Sequence, residues 1–250
     1  MPLTTTEAFV LRTYSLAEAD KICVFFTRLN GKVRGVAHGA RKMKSRFGSS
    51  LEPLTEVRLK YFQKENRDLI NISTCDIVTS HFERAARDVE TANCFSYLSE
   101  LLSELVPEHE PNDRLYRLVG ASLEAIEQGA DLSRVLRYFE SWLLRLGGFY
   151  PEPSVCSGCG DFLGESEPSF ITLEGSPRCH SCSGGRGIRM DETLRSLVAQ
   201  LFASHPVVFA ARPIAASDLS AIGEINYQII RHVLEKDLRS KSMLSQMRSV

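Results

Sequence analysis

The sequence has no uninterrupted apolar run long enough to cross a membrane. A transmembrane helix needs about 20 consecutive, mostly apolar residues, and no stretch of this chain of 250 residues reaches that length. The first residues, MPLTTTEAFVLRTY, also lack the basic segment followed by an apolar segment that characterises a secretory signal peptide. We therefore expect a cytoplasmic protein without membrane contact, in a compartment where thiols stay reduced.

The common sequence motifs of catalysis are also missing. The chain contains no Gly-Lys-Ser/Thr phosphate-binding loop, no paired aspartate cluster for two metals and no Gly-x-Ser-x-Gly nucleophile turn. These absences argue against nucleotide hydrolysis, two-metal chemistry and serine-hydrolase chemistry. The sequence therefore predicts a protein that is not an enzyme.

Acidic residues are absent from one long stretch near the N-terminus. Residues 21–51 contain eight Lys or Arg and no Asp or Glu, and the densest part is GARKMKSRFGSS at residues 39–50. The first 80 residues carry thirteen basic and eight acidic side chains, a net charge of +5, although the whole chain has a net charge of −1. This asymmetry indicates a polyanionic partner for the N-terminal part alone.

Cations on a flexible loop reach phosphates readily and carry little information about base sequence. Phe47, Tyr61 and Phe62 are candidates for stacking on bases, although for Phe47 alone a core or lid position is the favoured interpretation. The alternative is a solvated basic loop without a nucleic-acid partner. The predicted DNA contacts are Arg28, Lys32, Arg34, Arg41, Lys42, Lys44 and Arg46.

Short segments of alternating apolar residues indicate β-strands in the first 80 residues. Asn30-Gly31, between two of these segments, is a strong hairpin signal. Five strands with regular turns and no helical period between them predict a small closed barrel, which fits an OB fold, although an SH3-like barrel fits as well. The predicted strands are 8–14, 21–28, 32–38, 56–62 and 68–78.

From residue 82 the apolar residues recur with the 3.6-residue period of a helix. Asp113 is a predicted helix cap, and the single Trp142 is a predicted core anchor. The fold class is α+β, with a barrel domain over 1–80 and an all-α domain over 81–250 that a cysteine-containing insertion interrupts at 153–189. The predicted helices are 82–106, 113–129, 131–148, 192–204 and 217–247.

Four of the seven cysteines form two Cys-x-x-Cys pairs, Cys156/Cys159 and Cys179/Cys182, separated by nineteen residues. This spacing is typical of a four-thiolate zinc site. Four thiolates complete a tetrahedron and leave no position for a reactive water, so the predicted Zn²⁺ is structural. A redox Cys-x-x-Cys would need one pair at the start of a helix. The third functional alternative is a zinc hydrolase, which would need an open coordination position on the metal.

The other cysteines and the histidine beside the cluster have simpler predicted roles. Cys23, Cys75 and Cys94 are isolated among apolar or strand-forming residues, so we expect small buried side chains. His180 lies between the last two cysteines and is predicted to be a surface residue, because four better-spaced sulfurs already complete the site.

Four stretches of the chain resemble those of a known family in order and spacing. They are EAFVLRTYSLAEADKICVFFTRLNGKVRGVAHGARKMKSRFGSSLEPL at residues 7–54, GGFYPEPSVCSGCG at 147–160, the Cys179/Cys182 pair, and LRSKSMLSQM at 238–247. Together they are similar to the bacterial recombination mediator and DNA repair protein family RecO. His38 is a departure, because many relatives have Lys at this position.

The resemblance implies an N-terminal OB fold and a helical domain with an inserted zinc finger. It also implies binding to single- and double-stranded DNA, annealing of complementary strands and association with RecR. Such proteins help load RecA onto strands covered by single-stranded-DNA-binding protein, which implies a nucleoid-associated protein. The alternative from the residues alone is a protein-interaction scaffold, in which the helices dock partners and the basic loop is incidental.

Overall fold

The computed structural model describes residues 3–63, 69–152, 154–164 and 167–240. Two compact units are present, one formed by residues 3–117 with 238–240 and the other by 118–237. The predicted domain limits at 80/81 and 153–189 stay a prediction. Among the described residues, no helix combines the length and apolarity required to cross a membrane.

Eight strands, eight α-helices and one 3₁₀ helix (Gly48–Leu51) make up the regular structure of the described residues. The strands are β1 (Leu3–Leu16), β2 (Asp20–Thr27), β3 (Gly31–Ala37), β4 (Glu56–Phe62), β5 (Leu69–Thr79), β6 (Ser169–Ile171), β7 (Pro177–Arg178) and β8 (Ile188–Met190). The helices are α1 (Phe82–Arg87), α2 (Val89–Leu105), α3 (Asp113–Glu127), α4 (Leu132–Leu146), α5 (His180–Ser183), α6 (Glu192–Ala203), α7 (Pro206–Ala210) and α8 (Ala216–Leu234).

The first five strands close into a barrel in the order β1-β2-β3-β5-β4, with β4 pairing back onto β1. Neighbouring strands are antiparallel except β3 and β5, which are parallel. This arrangement confirms the predicted five-stranded OB-type barrel. The strand β4 has the predicted bounds, whereas β1 extends beyond the predicted 8–14, and Asp68 of the fifth predicted strand lies outside the described residues.

Alternation along the strands places one side of each strand in the barrel core. Cys23 and Cys75 are buried there and Cys94 is buried in α2, as predicted. Burial raises the pKa of the Cys23 thiol to about 12 and that of Cys75 to about 11. The core comprises Ala8, Val10, Cys23, Phe25, Val33, Ala37, Phe47, Leu51, Val57, Leu59, Tyr61, Ile70, Ile72 and Cys75.

The β2–β3 hairpin turns through the three residues 28–30, and Gly31 opens β3. Gly31 has φ +64°, in the left-handed region that favours glycine. A Cβ atom at this position would lie 2.4 Å from main-chain atoms of Glu110. The hairpin therefore requires glycine both for its backbone conformation and for the close approach of the segment at Glu110.

We expect Gly31→Ala to destabilise the first unit more than a conformational penalty alone predicts. The left-handed conformation costs about 1–2 kcal/mol for a residue with a Cβ, and relief of the overlap with Glu110 adds roughly 1–3 kcal/mol. Urea denaturation measures the loss. The matched control is Gly48→Ala, since Gly48 has φ +47° but open space around its Cβ position; equal losses in the two variants would contradict the overlap.

Two predicted helix boundaries differ from the observed ones at capping residues. Asp88 accepts hydrogen bonds from the main-chain amides of Glu90 and Thr91, at 3.1 and 3.2 Å, and thereby divides the predicted helix 82–106 into α1 and α2. The cap of α3 is Asn112 rather than Asp113, because the Asn112 side chain accepts from the Leu115 amide at 3.0 Å.

The helix predicted over 217–247 ends early. The helix α8 stops at Leu234, where Glu235 adopts a left-handed conformation with φ +52°. The main-chain amides of Arg239 and Ser240 then donate to the Glu100 carboxylate of α2, at 3.2 and 2.8 Å, within the first unit. Residues 241–247 of the predicted helix lie outside the described residues.

A buried polar cluster joins α4 and α8 in the second unit. Arg137 donates to Glu140 Oε1 at 2.7 Å, and the Asn226 side-chain amide donates to Glu140 Oε2 at 3.2 Å and to Ser141 Oγ at 2.9 Å. A Cβ atom at Gly223 would lie 2.1 Å from an Arg137 guanidinium nitrogen. This Arg137–Glu140–Asn226 cluster therefore fixes how the two helices pack.

Trp142 of α4 is half-buried, and its ring meets Phe202 edge-on at 5.3 Å between centroids. Arg145 lies over the same pair, 5.5 Å from the Trp142 ring and 4.3 Å from the Phe202 ring. Trp142 is thus a packing residue, as predicted, although one side remains accessible to solvent.

Candidate nucleic-acid interface and metal centre

Lys32 of β3, one of the seven predicted DNA contacts, is buried with an exposed fraction of 7%. Its Nζ donates to the main-chain carbonyl of Ser103 in α2 at 2.6 Å. Desolvation by the surrounding protein lowers the pKa of Lys32. The ammonium group therefore has a protein acceptor, and contact with a phosphate requires that this arrangement open.

Arg28 and Arg34, on either side of Lys32, form ion pairs with carboxylates. Arg28 donates to Asp113 at 2.8 Å and to Glu7 at 3.0 Å, and the hydrogen bond to Asp113, with that to Glu7, raises the pKa of Arg28. Arg34 pairs with Glu108. The charges of both guanidinium groups are thus balanced within the first unit.

The partners of these cations come from β1 (Glu7), from α2 (Ser103), from the segment between α2 and α3 (Glu108) and from the first residue of α3 (Asp113). The amide of His109 donates to the carbonyl of Lys32 at 3.1 Å, which holds this segment along β3. Tyr116 of α3 packs on Phe9 and Phe26, with ring centroids 4.7 and 5.9 Å apart. OB folds commonly bind oligonucleotides on the face of strands 2 and 3, but the chain's own residues cover that hairpin in this protein.

The other four predicted contacts lie together on residues 39–47 between β3 and β4, which we call the basic loop. Arg41, Lys42, Lys44 and Arg46 are all exposed. Within the described part of the chain, the ion pairs involve none of these four side chains. The basic loop therefore presents four cations to solvent without a carboxylate partner among the described residues.

The aromatic residues predicted to stack on bases are largely inside the protein. Phe47 is 3% exposed and Tyr61 is 2% exposed, both in the barrel core. The core position expected for Phe47 is confirmed, and the stacking prediction for Tyr61 is wrong. Phe62 is half-buried. Arg46 lies with its guanidinium carbon 4.9 Å from the Phe47 ring centre, so Phe47 serves as the buried anchor at the end of the basic loop.

The four cysteine sulfurs of Cys156, Cys159, Cys179 and Cys182 lie within 4.8 Å of one another in the second unit. Zinc–sulfur bonds of about 2.3 Å in a tetrahedron place sulfurs about 3.8 Å apart, and the Cys159 and Cys179 sulfurs are 4.0 Å apart. The arrangement can therefore hold a tetrahedral metal ion. His180 is exposed, as predicted, and its ring contacts Phe170 rather than the cluster.

Each cysteine pair is shaped by main-chain hydrogen bonds to sulfur. Cys156 Sγ accepts from the amides of Gly158 and Cys179 at 3.4 and 3.3 Å, and Cys179 Sγ accepts from the amide of Cys182 at 3.4 Å. Hydrogen bonds from the amides of Cys159, Cys179 and Gly158 lower the pKa of Cys156 to about 6. These amide donors favour the thiolate at Cys156, which is the form of cysteine that binds a metal.

Gly158 is needed at the cluster for space rather than for an unusual backbone angle. A Cβ atom at Gly158 would lie 3.0 Å from both the Cβ and the Sγ of Cys182, so a larger residue would separate the two pairs. Gly160 has φ +79° and closes the first turn, where its amide donates to the carbonyl of Cys156 at 2.9 Å. Gly158 is thus required for the space beside Cys182, and Gly160 for its left-handed backbone conformation.

Two family models match the chain along most of its length. One is described as Recombination protein O N terminal and matches residues 1–81, and the other, Recombination protein O C terminal, matches residues 86–242. The chain belongs to the RecO family. The family resemblance seen in the sequence is thereby confirmed.

Relatives named DNA repair protein RecO align with nearly the whole chain. The protein from Koribacter versatilis is 34% identical over 245 residues, which covers 98% of this chain and 99% of that protein. The relative from Geobacter metallireducens is 30% identical over 246 residues, 98% of both chains. Membership in the RecO family places the chain among DNA repair and recombination proteins.

Two features of this RecO chain were missed at the level of sequence. Met43, between Lys42 and Lys44, is fully exposed and supplies an apolar side chain at the surface of the basic loop. Arg195 of α6 donates to the carbonyls of Gly164, at 2.7 Å, and Glu167, and so ties the cysteine-containing segment to the helices. Met43 has a local sequence signal, because it is an apolar residue within a charged run. The contacts of Arg195 have none, because they depend on the tertiary structure.

Proposed function

We propose that the chain is a non-enzymatic recombination mediator that binds single- and double-stranded DNA through the basic loop. The supporting observation is the contrast between two sets of cations. Arg28 and Arg34 form ion pairs with carboxylates, and Lys32 is buried. The four cations of the basic loop are exposed and take part in none of the described ion pairs; Arg41 and Arg46 donate only to main-chain carbonyls. DNA contact by the three hairpin cations stays a prediction, and it requires that their contacts within the protein open.

The proposed mechanism is electrostatic. Each Lys or Arg that neutralises a phosphate releases condensed counterions, and the gain in entropy drives binding without regard to base sequence. Two complementary strands bound near the same cations repel each other less, so base pairing between them begins more easily. Met43 offers an apolar contact for an unstacked base, as apolar side chains do in other nucleic-acid interfaces.

The proposed partners follow from the family. We propose that the protein associates with RecR and acts in the cytoplasm at the nucleoid, helping to load RecA onto strands covered by single-stranded-DNA-binding protein. A pull-down with RecR, combined with an annealing assay on strands coated with that binding protein, tests both parts. If the protein binds bare DNA but neither captures RecR nor anneals the coated strands, it is a DNA-binding protein and the proposed mediator role is wrong.

The proposed role of the cysteine cluster is structural binding of Zn²⁺. Cys156, Cys159, Cys179 and Cys182 would hold the ion, and four thiolates would complete its coordination. A bound ion of this kind supplies folding free energy to the segment between α4 and α6. The DNA contacts and the metal centre would then have separate roles.

The decisive experiment replaces all four cations of the basic loop, Arg41, Lys42, Lys44 and Arg46, by Ala in the full chain. The slope of log Kobs against log salt concentration is expected to flatten by about 0.9 for each lost duplex phosphate contact and about 0.7 for each single-strand contact. Fluorescence titration of labelled oligonucleotides at several salt concentrations measures the slope.

The control variant removes four exposed arginines from helices, namely Arg87, Arg114, Arg117 and Arg231. It changes the net charge of the protein by the same amount as the loop variant does. We expect its salt slope to stay close to that of the wild type. An equal loss of slope in both variants would show a diffuse charge effect and would remove the basic loop as the DNA site.

A further inference from the structure

One end of the basic loop is held by an acidic residue of the barrel. Asp20 begins β2, and its Oδ1 accepts a hydrogen bond from the main-chain amide of Gly39 at 2.8 Å. His38 Nδ1 donates to Asp20 Oδ2 at 2.7 Å. Both carboxylate oxygens thus accept hydrogen bonds at the start of the basic loop, one from Gly39 and one from His38 just before it.

The neighbouring turn between β1 and β2 adds two more hydrogen bonds to the loop itself. The main-chain amide of Arg41 donates to the carbonyl of Ala19 at 2.9 Å, and the Arg41 guanidinium donates to the carbonyl of Ala17 at 2.7 Å. Ala17 has φ +50°, a left-handed conformation that costs free energy for alanine. Together with Asp20, this turn forms a four-bond clamp on the start of the loop.

The clamp places a negative charge beside a loop that is proposed to bind phosphates. Hydrogen bonds from Gly39 and His38 lower the pKa of Asp20, so the carboxylate stays ionised at neutral pH. Lys42 lies close enough to contribute to that lowering. A carboxylate beside a phosphate-binding loop repels DNA, so its presence calls for a compensating role.

We propose that Asp20 is a positioning residue for DNA binding, which holds the basic loop at one end while Phe47 anchors it at the other. A loop fixed at both ends presents its cations as a set and loses less conformational entropy when it binds DNA. This proposal rests on the proposed function of the loop. It extends that function to a residue whose charge is opposite to that of the site.

Charge and positioning predict opposite effects of Asp20→Ala on DNA affinity. If only charge mattered, Asp20→Ala would bind DNA more tightly than the wild type. Positioning predicts that Asp20→Ala binds about tenfold more weakly, because the cations must then be ordered on binding. The matched control is Glu18→Ala in the same turn, since Glu18 is exposed; it is expected to bind as tightly as the wild type or slightly more tightly.

Asp20→Asn separates positioning from general destabilisation. Its side-chain oxygen can accept from the Gly39 amide and its nitrogen can donate to His38, so both contacts survive without the negative charge. We expect Asp20→Asn to bind DNA at least as tightly as the wild type. Binding by Asp20→Ala that equals or exceeds that of the wild type would overturn the proposal.

A measurement without DNA keeps this inference distinct from the proposed function. Trypsin cleaves after Lys and Arg, and its cleavage within residues 41–46 reports local opening of the loop. Mass spectrometry of the fragments measures the cleavage rate. We expect cleavage within residues 41–46 to be severalfold faster in Asp20→Ala and to keep the wild-type rate in Asp20→Asn and Glu18→Ala. Unchanged cleavage in Asp20→Ala would refute the clamp even if the loop binds DNA.

Two further outcomes are decided by the same assays. Faster cleavage combined with no effect of the fourfold loop variant on DNA binding would retain the clamp and refute the proposed DNA site. If Asp20→Ala does not fold by circular dichroism, His38→Ala takes its place, because it removes one of the two carboxylate contacts. Wild-type cleavage of the loop in His38→Ala would then overturn the proposal.

Discussion

With Zn²⁺ at the four cysteines as proposed, replacing Cys156 by Ala is expected to release the ion and to destabilise the second unit, with DNA affinity affected only secondarily. Zinc binding supplies on the order of 10 kcal/mol of folding free energy in small finger peptides. The sulfur of Cys156 also accepts amides from both cysteine pairs, those of Gly158 and Cys179. Its loss therefore removes a ligand and the hydrogen bonds that bring the pairs together.

The metal content and the melting temperature measure this effect separately. Zinc per chain, by atomic emission, should fall from one to near zero, and calorimetry should show a lower melting temperature. The control is Cys94→Ala, because Cys94 is fully buried in α2 and lies outside the cluster; it should keep its zinc. An unchanged melting temperature with complete loss of DNA binding would instead make the cluster a DNA-contact surface.

The features that could be predicted from the sequence depend on residues close together along the chain. The barrel strands follow from alternation, and the cysteine cluster follows from spacing within each Cys-x-x-Cys pair. Tyr61 also had a local signal, since it shares the inward side of β4 with Val57 and Leu59. The same alternation that predicted β4 therefore excluded Tyr61 as a stacking residue.

The contacts that were missed join residues far apart in the sequence. Lys32 meets Ser103, and Arg28 meets Asp113 at a separation of 85 residues. A run of basic residues reports the total charge but not which charges the fold will pair. Only the tertiary structure divides the run into paired hairpin cations and an exposed basic loop.

The end of α8 shows tertiary contacts overriding a helical period. The apolar pattern continues past Leu234, and Glu235 has no glycine-like preference for the left-handed conformation it adopts. The observed hydrogen bonds of Arg239 and Ser240 to Glu100 require the chain to leave the helix before them. Glu100 is itself 6% exposed, so these donors satisfy a buried carboxylate.

The second large effect is expected at the buried cluster between α4 and α8, where Glu140→Ala should destabilise the second unit by about 3–5 kcal/mol. Glu140 is 1% exposed and receives hydrogen bonds from both Arg137 and Asn226. Its removal leaves the buried guanidinium of Arg137 without that carboxylate. Urea denaturation followed by circular dichroism measures the change in the free energy of unfolding.

A surface ion pair and a double variant distinguish buried charge from simple loss of side-chain volume. Glu83 pairs with Arg87 in α1 with both side chains at least 80% exposed, so Glu83→Ala should change the free energy of unfolding by less than about 0.5 kcal/mol. In the double variant Arg137→Met with Glu140→Leu, both charges leave together, and apolar side chains fill the space. Replacement of a whole buried pair is often neutral, so this variant should be more stable than Glu140→Ala. If it is equally unstable, the cost at Glu140 comes from packing or from the acceptor that the buried Asn226 amide loses, rather than from an uncompensated charge.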